Sequence, residues 1–414
     1  MAFSRQREII RTQELMWKQE LRNLRRRRAA RAAGSASSVD TLDTVIVNEQ
    51  QQQQQQQEQH EEISIQNIAE RSSDAVGEGS IFVSVASYRD SECPKTVADC
   101  FEKATYPGRV MVGVCQQNDP GDVDCLASAT AQRFLPNIRV LRLQADEARG
   151  PVYARALIEQ NLFHDELYYL VVDSHTLFSP GWDVECIRQL TLCPSLKPVL
   201  TCYPPEYDIR TRQLPIEQPA TFLRFRDFHP RIGFTQQDPV RYKHPPPRPQ
   251  PSLFWAAGFS FTLGEVVRTV PYDIHLEYVF LGEESSMAVR LWTHGYDIFA
   301  PMTNLVFHYT SRTYRPVFWE RFYKKDGHSK VPHEVREQRK QLEAQGNARI
   351  KRLLAGEPLE APYGLGTERT LLQFQEYTGL DFMSKGAARH TKLGLSPNAD
   401  EEERYCKYGM QTFQ

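Results

Sequence analysis

A chain of 414 residues exceeds one typical domain, and with 40% hydrophobic residues, 18 Tyr and 21 Phe it can build a sizeable core. A net charge of -2 argues against a protein that binds polyanions over its whole surface. No stretch approaches the roughly 20 apolar residues of a membrane span, the N-terminus lacks the apolar core of a secretory signal, and the eight cysteines contain no CxxC pair. The expectation is a cytoplasmic or nuclear protein with free thiols.

From Met1 to Ala33, ten Lys or Arg stand against three Glu, including the run Arg25-Arg26-Arg27-Arg28. Ile9, Ile10, Leu15, Trp17, Leu21 and Leu24 allow a helix with a loose apolar stripe. A solvated charged helix is the plainer reading; a basic interaction arm or a membrane-surface helix is the other. Gly34 to Gly79 is poor in aromatics and holds the tract Gln50 to Gln57, so it cannot bury enough apolar surface to offset its ordering entropy. Residues 1–79 therefore read as a basic helix plus a disordered Gln-rich linker.

Periodic structure begins at Ile81. Ile81 to Ala86 is a first strand, closed by Ser87-Tyr88-Arg89-Asp90, and Cys93 to Ala104 follows as a helix with Pro94 in its first turn. Val110 to Cys115 and Ile138 to Leu143 are further strands, and Gly150 to Asn161 carries a helical pattern. The next strand, Leu167-Tyr168-Tyr169-Leu170-Val171-Val172, runs directly into Asp173-Ser174-His175. Short β-branched strands alternating with helices predict an α/β fold with a mostly parallel central sheet covered on both faces. Ligands of such sheets bind beyond the carboxyl ends of the strands, where Ser87 to Asp90, Gln116 to Asp119 and Asp173 to His175 would converge.

Side chains alternate across a strand, so Asp173 and His175 point the same way if the backbone stays extended. One carboxylate oxygen and one imidazole nitrogen can then hold a divalent cation, leaving positions for phosphate oxygens and water. The plainer reading makes Asp173 a cap on the turn into Phe178-Ser179-Pro180-Gly181-Trp182, with His175 an ordinary loop residue.

Further along, Arg241 to Pro251 is a proline-rich extended loop that by default connects, and otherwise lines a groove or recruits a partner domain. Phe254-Trp255-Ala256-Ala257-Gly258-Phe259-Ser260-Phe261 reads as an aromatic strand whose Gly allows close approach of a ligand. Leu281-Gly282-Glu283-Glu284 opens a helix with two carboxylates in its first turn, a placement the helix dipole favours even without function. Val306-Phe307-His308 is an apolar run ending in a histidine. The charged stretch from Glu334 to Leu354 predicts a long helix, part of a helical extension over 321–414, after a catalytic domain over 80–320.

Four motifs in order, Phe82-Val83-Ser84-Val85-Ala86-Ser87-Tyr88-Arg89-Asp90, Ala148-Arg149-Gly150-Pro151-Val152-Tyr153-Ala154-Arg155, Val172-Asp173-Ser174-His175 and Gly282-Glu283-Glu284, resemble the motif set of the polypeptide α-N-acetylglucosaminyltransferases. The similarity spans roughly Ser80 to Tyr314, and Tyr363 to Gly366 and Thr378 to Phe382 also look familial. The resemblance implies a Rossmann-like GT-A glycosyltransferase fold, UDP-GlcNAc as donor, Mn2+ or another divalent cation, and transfer with retention. It implies an acceptor hydroxyl on a protein, hydroxyproline of the adaptor subunit of SCF-type ubiquitin ligases being the family's cytoplasmic case.

On that footing Asp173 and His175 would hold the cation, with His308 as third ligand, although a lone histidine there is more often a core or loop residue. Ser87, Tyr88, Arg89 and Asp90 would hold uracil and ribose, though a plain strand-to-helix turn also uses Ser and Asp. Arg155 and Asp173 would meet the donor, the guanidinium reaching a phosphate or sugar hydroxyl. Glu283 and Glu284 are the candidate catalytic carboxylates, one of them binding sugar hydroxyls or acceptor, and the sequence does not rank them. Front-face departure, in which the leaving phosphate takes the acceptor proton, requires no general base. A same-fold transferase with another donor or a Ser/Thr acceptor, and a non-catalytic interaction protein that keeps the fold, are the alternatives; intact Asp173, His175 and His308 argue against the last.

Overall fold

Tyr169 and Val171 pack to one side of their strand, Leu170 and Val172 to the other, and this alternation organises the whole molecule. The computed structural model describes residues 79–311, 313–322 and 331–409, all within one unit, Arg71–Gln414. The basic arm and the Gln tract lie outside the described residues.

The strands are β1 (Ile81–Tyr88), β2 (Val110–Asn118), β3 (Ile138–Gln144), β4 (Tyr168–Asp173), β5 (Thr176–Phe178), β6 (Pro198–Thr201), β7 (Thr221–Phe228), β8 (Thr235–Arg241), β9 (Gln250–Pro251), β10 (Phe259–Leu263), β11 (Asp297–Ala300) and β12 (Val306–His308). The helices are α1 (Cys93–Lys103), α2 (Ala129–Arg133), α3 (Pro151–Leu162), α4 (Trp182–Thr191), α5 (Val266–Thr269), α6 (Glu283–Thr293), α7 (His333–Leu354), α8 (Leu371–Thr378), α9 (Arg389–Leu393) and α10 (Glu401–Tyr408). Eight strands form one sheet in the order β3-β2-β1-β4-β10-β6-β11-β9. All run parallel except β10, antiparallel to β4 and β6, and β9, antiparallel to β11. The α/β fold with a mostly parallel sheet and a helical C-terminal part stands as the alternating pattern predicts.

Each sheet face carries its own core. Val83, Val85, Leu170 and Val172 pack with Val97 and Phe101 of α1 and Trp182, Ile187 and Leu190 of α4. Phe82, Tyr169 and Val171 pack on the other face with α3, α6 and Ile350 and Leu354 of α7. Burying each such side chain stabilises by about 1.5–3 kcal/mol, and truncating fully buried Leu170 to Ala costs about 2–5 kcal/mol. Asp173, next after Val171 on the same side, therefore meets the face that α3 and α6 cover.

One expectation needs adjustment. The aromatic strand begins only at Phe259, because the Ala256 amide donates to Thr201 Oγ1 at 2.9 Å, while Ala257 and Gly258 turn the chain. Phe254 and Ala256 pack instead beneath the β7–β8 hairpin with Leu223 and Phe225. The proline-rich stretch runs from the end of β8 to β9, and α10 holds its start. Lys243 and His244 amides donate to the Cys406 carbonyl at 2.9 and 3.1 Å, and His244 stacks on Tyr405 with centroids 4.2 Å apart. All eight cysteines are free and buried. No helix among the described residues is long and apolar enough to cross a membrane.

Candidate active site

β4 ends at Asp173, the chain turns through Ser174 and His175, and β5 leaves antiparallel to β12 with Thr176 opposite His308. This pairing carries His308 back to the two residues that the strand end already presents. Its Nε2 lies 3.1 Å from Asp173 Oδ2, and its ring centroid is 4.6 Å from that of His175. The His308 amide donates to the Pro205 carbonyl at 3.0 Å and the Tyr309 amide to His175 O at 3.1 Å, which fixes the ribbon. One ligand atom from each of Asp173, His175 and His308 lies within 4.8 Å of the other two.

Burial pushes the Asp173 carboxyl up, but the hydrogen bond with His308 and the Arg155 charge outweigh it and hold the carboxyl well below the usual range. Burial lowers the His175 imidazole, and its hydrogen bond with Asp90 only partly offsets this, so the ring is neutral near pH 7. An ionised carboxylate beside a neutral imidazole is the protonation state a cation needs.

Arg155 projects from the first half of α3, whose start is set by Gly150 at φ +99° and Pro151. Its Nη2 donates to Asp173 Oδ1 at 2.9 Å and its Nη1 to Glu283 Oε1 at 2.6 Å, so one buried guanidinium orients both carboxylates. Glu283 and Glu284 open α6 behind Gly282, also at φ +99°, where a Cβ would meet the Phe234 ring at 2.5 Å. Burial raises Glu283 against the pull of Arg155. Glu284 is pushed by burial to about 7, although Tyr203 donates its hydroxyl to Oε2 at 2.5 Å; the Ala257 amide donates to Oε1 at 3.3 Å.

These groups, Asp173, His175, His308, Glu283 and Glu284, line one cleft of about 510 Å3. Of Ser87, Tyr88, Arg89 and Asp90, only Tyr88 lines it. Strand alternation buries Ser87 completely, and Arg89, at φ +49°, turns to Asp119 and Asp122 at 2.8 and 2.7 Å. Asp90 is buried behind the histidine rather than facing the cleft, with Oδ2 2.8 Å from His175 Nδ1. Ser87, Arg89 and Asp90, expected to hold uracil and ribose, thus do not line the cleft, and Arg89 and Asp90 are engaged by other side chains. Arg155 lines the cleft but has both terminal nitrogens engaged by carboxylates.

Sequence reading missed Tyr203, Arg315, Phe318 and Trp319, all on the cleft wall. Tyr203 stands just past the end of β6, on the same sheet edge as the motifs that were found. Arg315 to Trp319 follow β12, and nothing local distinguishes them from a linker.

Fold and site together define a mixed α/β domain with a cation-competent cleft at the carboxyl ends of its parallel strands. The family model described as Glycosyltransferase (GlcNAc) matches residues 80–136 and 129–384, and the chain belongs to that family. Among solved structures it is similar to GalNAc-T7 with UDP, GalNAc and Mn2+, at 12% identity and TM-score 0.42 over 68% of this chain and 59% of that one. It thus spans less than two thirds of that transferase. The mannosyltransferase PcManGT from Pyrobaculum calidifontis, in complex with GDP-Man and Mn2+, matches at 11% identity and TM-score 0.36, over 72% of this chain and 85% of that one. S. aureus TarS 1-349 in complex with UDP-GlcNAc matches at 12% identity and TM-score 0.36, over 68% of each chain. The likeness is distant in all three. No curated protein matches the sequence.

Proposed function

We propose that this chain is a metal-dependent, retaining glycosyltransferase of the GT-A type that moves GlcNAc from UDP-GlcNAc to a protein hydroxyl. Hydroxyproline of the SCF ubiquitin-ligase adaptor is the acceptor that the family resemblance implies. The observation that carries the reading is the convergence of Asp173, His175 and His308 within 4.8 Å, in a cleft that Glu284 also lines. One carboxylate oxygen and two imidazole nitrogens suit Mn2+ or a similar divalent cation. When bound there, the cation supplies neutralisation of the charge that gathers on the departing diphosphate.

The chain's own residues supply the rest. Asp173, His175 and His308 hold the cation, and Arg155 fixes the rotamer of Asp173. Glu284 outranks Glu283 as the group that accepts hydrogen bonds from the sugar, because Glu283 is already paired with Arg155. Tyr88, Phe318 and Trp319 give the cleft apolar walls that exclude water and offer flat surfaces to a base or sugar. Residues 80–320 act as the catalytic part and 321–414 as an extension that packs on it, supported by Ile350 and Leu354 of α7 in the same core as α6. Eight free thiols support a cytoplasmic setting.

Purified protein with UDP-GlcNAc and Mn2+ is expected to release UDP slowly, and faster with a hydroxyproline peptide. No release with any of several metals would sink the enzyme reading. Faster turnover of another sugar in a panel of UDP-sugars, or of a Ser/Thr peptide, would move the assignment to a same-fold transferase with a different donor or acceptor.

A further inference from the structure

We infer that Asp90 is a positioning residue that builds the metal site and the cleft wall on a single carboxylate. The inference rests on the metal-dependent reading above. A ligating imidazole must present an unprotonated nitrogen, and the group bonded to its other nitrogen decides which one that is. Asp90 Oδ2 lies 2.8 Å from His175 Nδ1, so Nδ1 carries the proton and Nε2 keeps its lone pair for the cation.

The rest of the Asp90 carboxylate is also fully used. Ser174 Oγ donates to Oδ2 at 2.7 Å, and the Glu92 amide donates to Oδ1 at 2.9 Å. Tyr314 donates its hydroxyl to Oδ1 at 2.9 Å, and Arg315 Nε lies 3.3 Å from Oδ2. Asp90 itself is 2% exposed, so it acts only through these partners. The partners come from three places: the start of α1, the turn between β4 and β5, and the stretch after β12. That last stretch continues into Val317, Phe318 and Trp319 on the cleft wall. The carboxylate therefore sets the tautomer of one metal ligand through Oδ2 and anchors the stretch after β12 through both oxygens, Tyr314 on Oδ1 and Arg315 on Oδ2.

Three variants separate these roles. Asp90→Asn, nearly isosteric, is expected to weaken Mn2+ binding measured without nucleotide by about 10–100-fold. In 15N-histidine NMR it should turn the single Nδ1–H tautomer of His175 into a mixture, a change that loss of packing alone does not produce. Tyr314→Phe removes one of the two contacts that the stretch after β12 makes with Asp90 and leaves His175 and Arg315 in place. It is expected to leave Mn2+ affinity within about twofold while weakening UDP binding in the presence of Mn2+ by about 5–20-fold, the effect of one or two kcal/mol. Ser174→Ala, which takes one donor from the same oxygen but leaves His175 in place, should retain the tautomer.

Unchanged Mn2+ affinity in Asp90→Asn, with normal binding by the wild type, would overturn the inference and leave the proposed function standing. So would an equal loss of Mn2+ affinity in Tyr314→Phe. Wild-type protein that binds no divalent cation would overturn both.

Discussion

His308 Nε2 lies 3.1 Å from Asp173 Oδ2 because β12 pairs with β5 in the register that sets His308 opposite Thr176. The third ligand is thus a product of strand pairing. His308→Ala is expected to abolish high-affinity Mn2+ binding and to lower UDP release by about 100-fold or more, with a melting temperature close to wild type. Isothermal titration with Mn2+ and a thermal melt check both halves. Near-wild-type activity would remove His308 from the site.

Arg155 is the only guanidinium bonded to both Asp173 and Glu283 among the described residues; it and Glu283 are buried, and Asp173 is partly so. Removing it leaves two carboxylates facing each other without a counter-charge. Arg155→Met is therefore expected to cost about 3–5 kcal/mol of stability, read as a lower denaturation midpoint in urea. Glu283→Gln in the same background should recover part of the loss, because it removes one of the stranded charges.

With a carboxyl pushed by burial to about 7, Glu284 gains its charge only as pH rises past neutrality. If it accepts hydrogen bonds from the sugar, turnover should climb through that pH. Glu284→Gln should flatten the limb and lower turnover by about 10–1000-fold. Tyr203 holds the value down by donating to Oε2, so Tyr203→Phe is expected to move the midpoint upward. A downward move would mean that Tyr203 is not bonded to the charged form.

Glu159, one turn beyond Arg155 on α3, is buried and accepts the Tyr272 amide at 2.7 Å. Burial pushes its carboxyl from 4.5 to about 8, against the pull of Arg290 and Arg155. Between those values the folded chain binds more protons than the unfolded one, so stability from this group is full below about 4.5 and is lost as pH rises through about 8. Glu159→Gln keeps the shape and removes the titration. Relative to wild type it should gain a few kcal/mol between pH 5 and pH 8, or the linkage is wrong; urea titrations at several pH values measure it.

The strand positions and the Asp173-Ser174-His175 turn were legible in the sequence because apolar β-branched runs and their abrupt polar ends are local signals. His308 was legible as a candidate only, since its role depends on a ribbon partner far off in sequence. What stayed hidden is pairing at a distance. Ser87, Arg89 and Asp90 sit at the expected edge, yet a positive φ at Arg89 and the acids at Asp119 and Asp122 decide where that side chain points. Arg155 likewise reads as a donor-binding group, and nothing local in the sequence announces its two carboxylate partners, Asp173 and Glu283. Phe254 to Gly258 read as strand from its aromatics, and the Thr201 side chain that captures the Ala256 amide carries no periodic signature.

The burial of all eight thiols makes this chain ready for site-directed labelling. A maleimide dye or spin label would find no native target on the folded surface, so a single cysteine at Phe280, 44% exposed on the cleft rim, should take the probe alone. Distances from that probe to paramagnetic Mn2+ would then report the position of the cation directly, with every natural cysteine left in place.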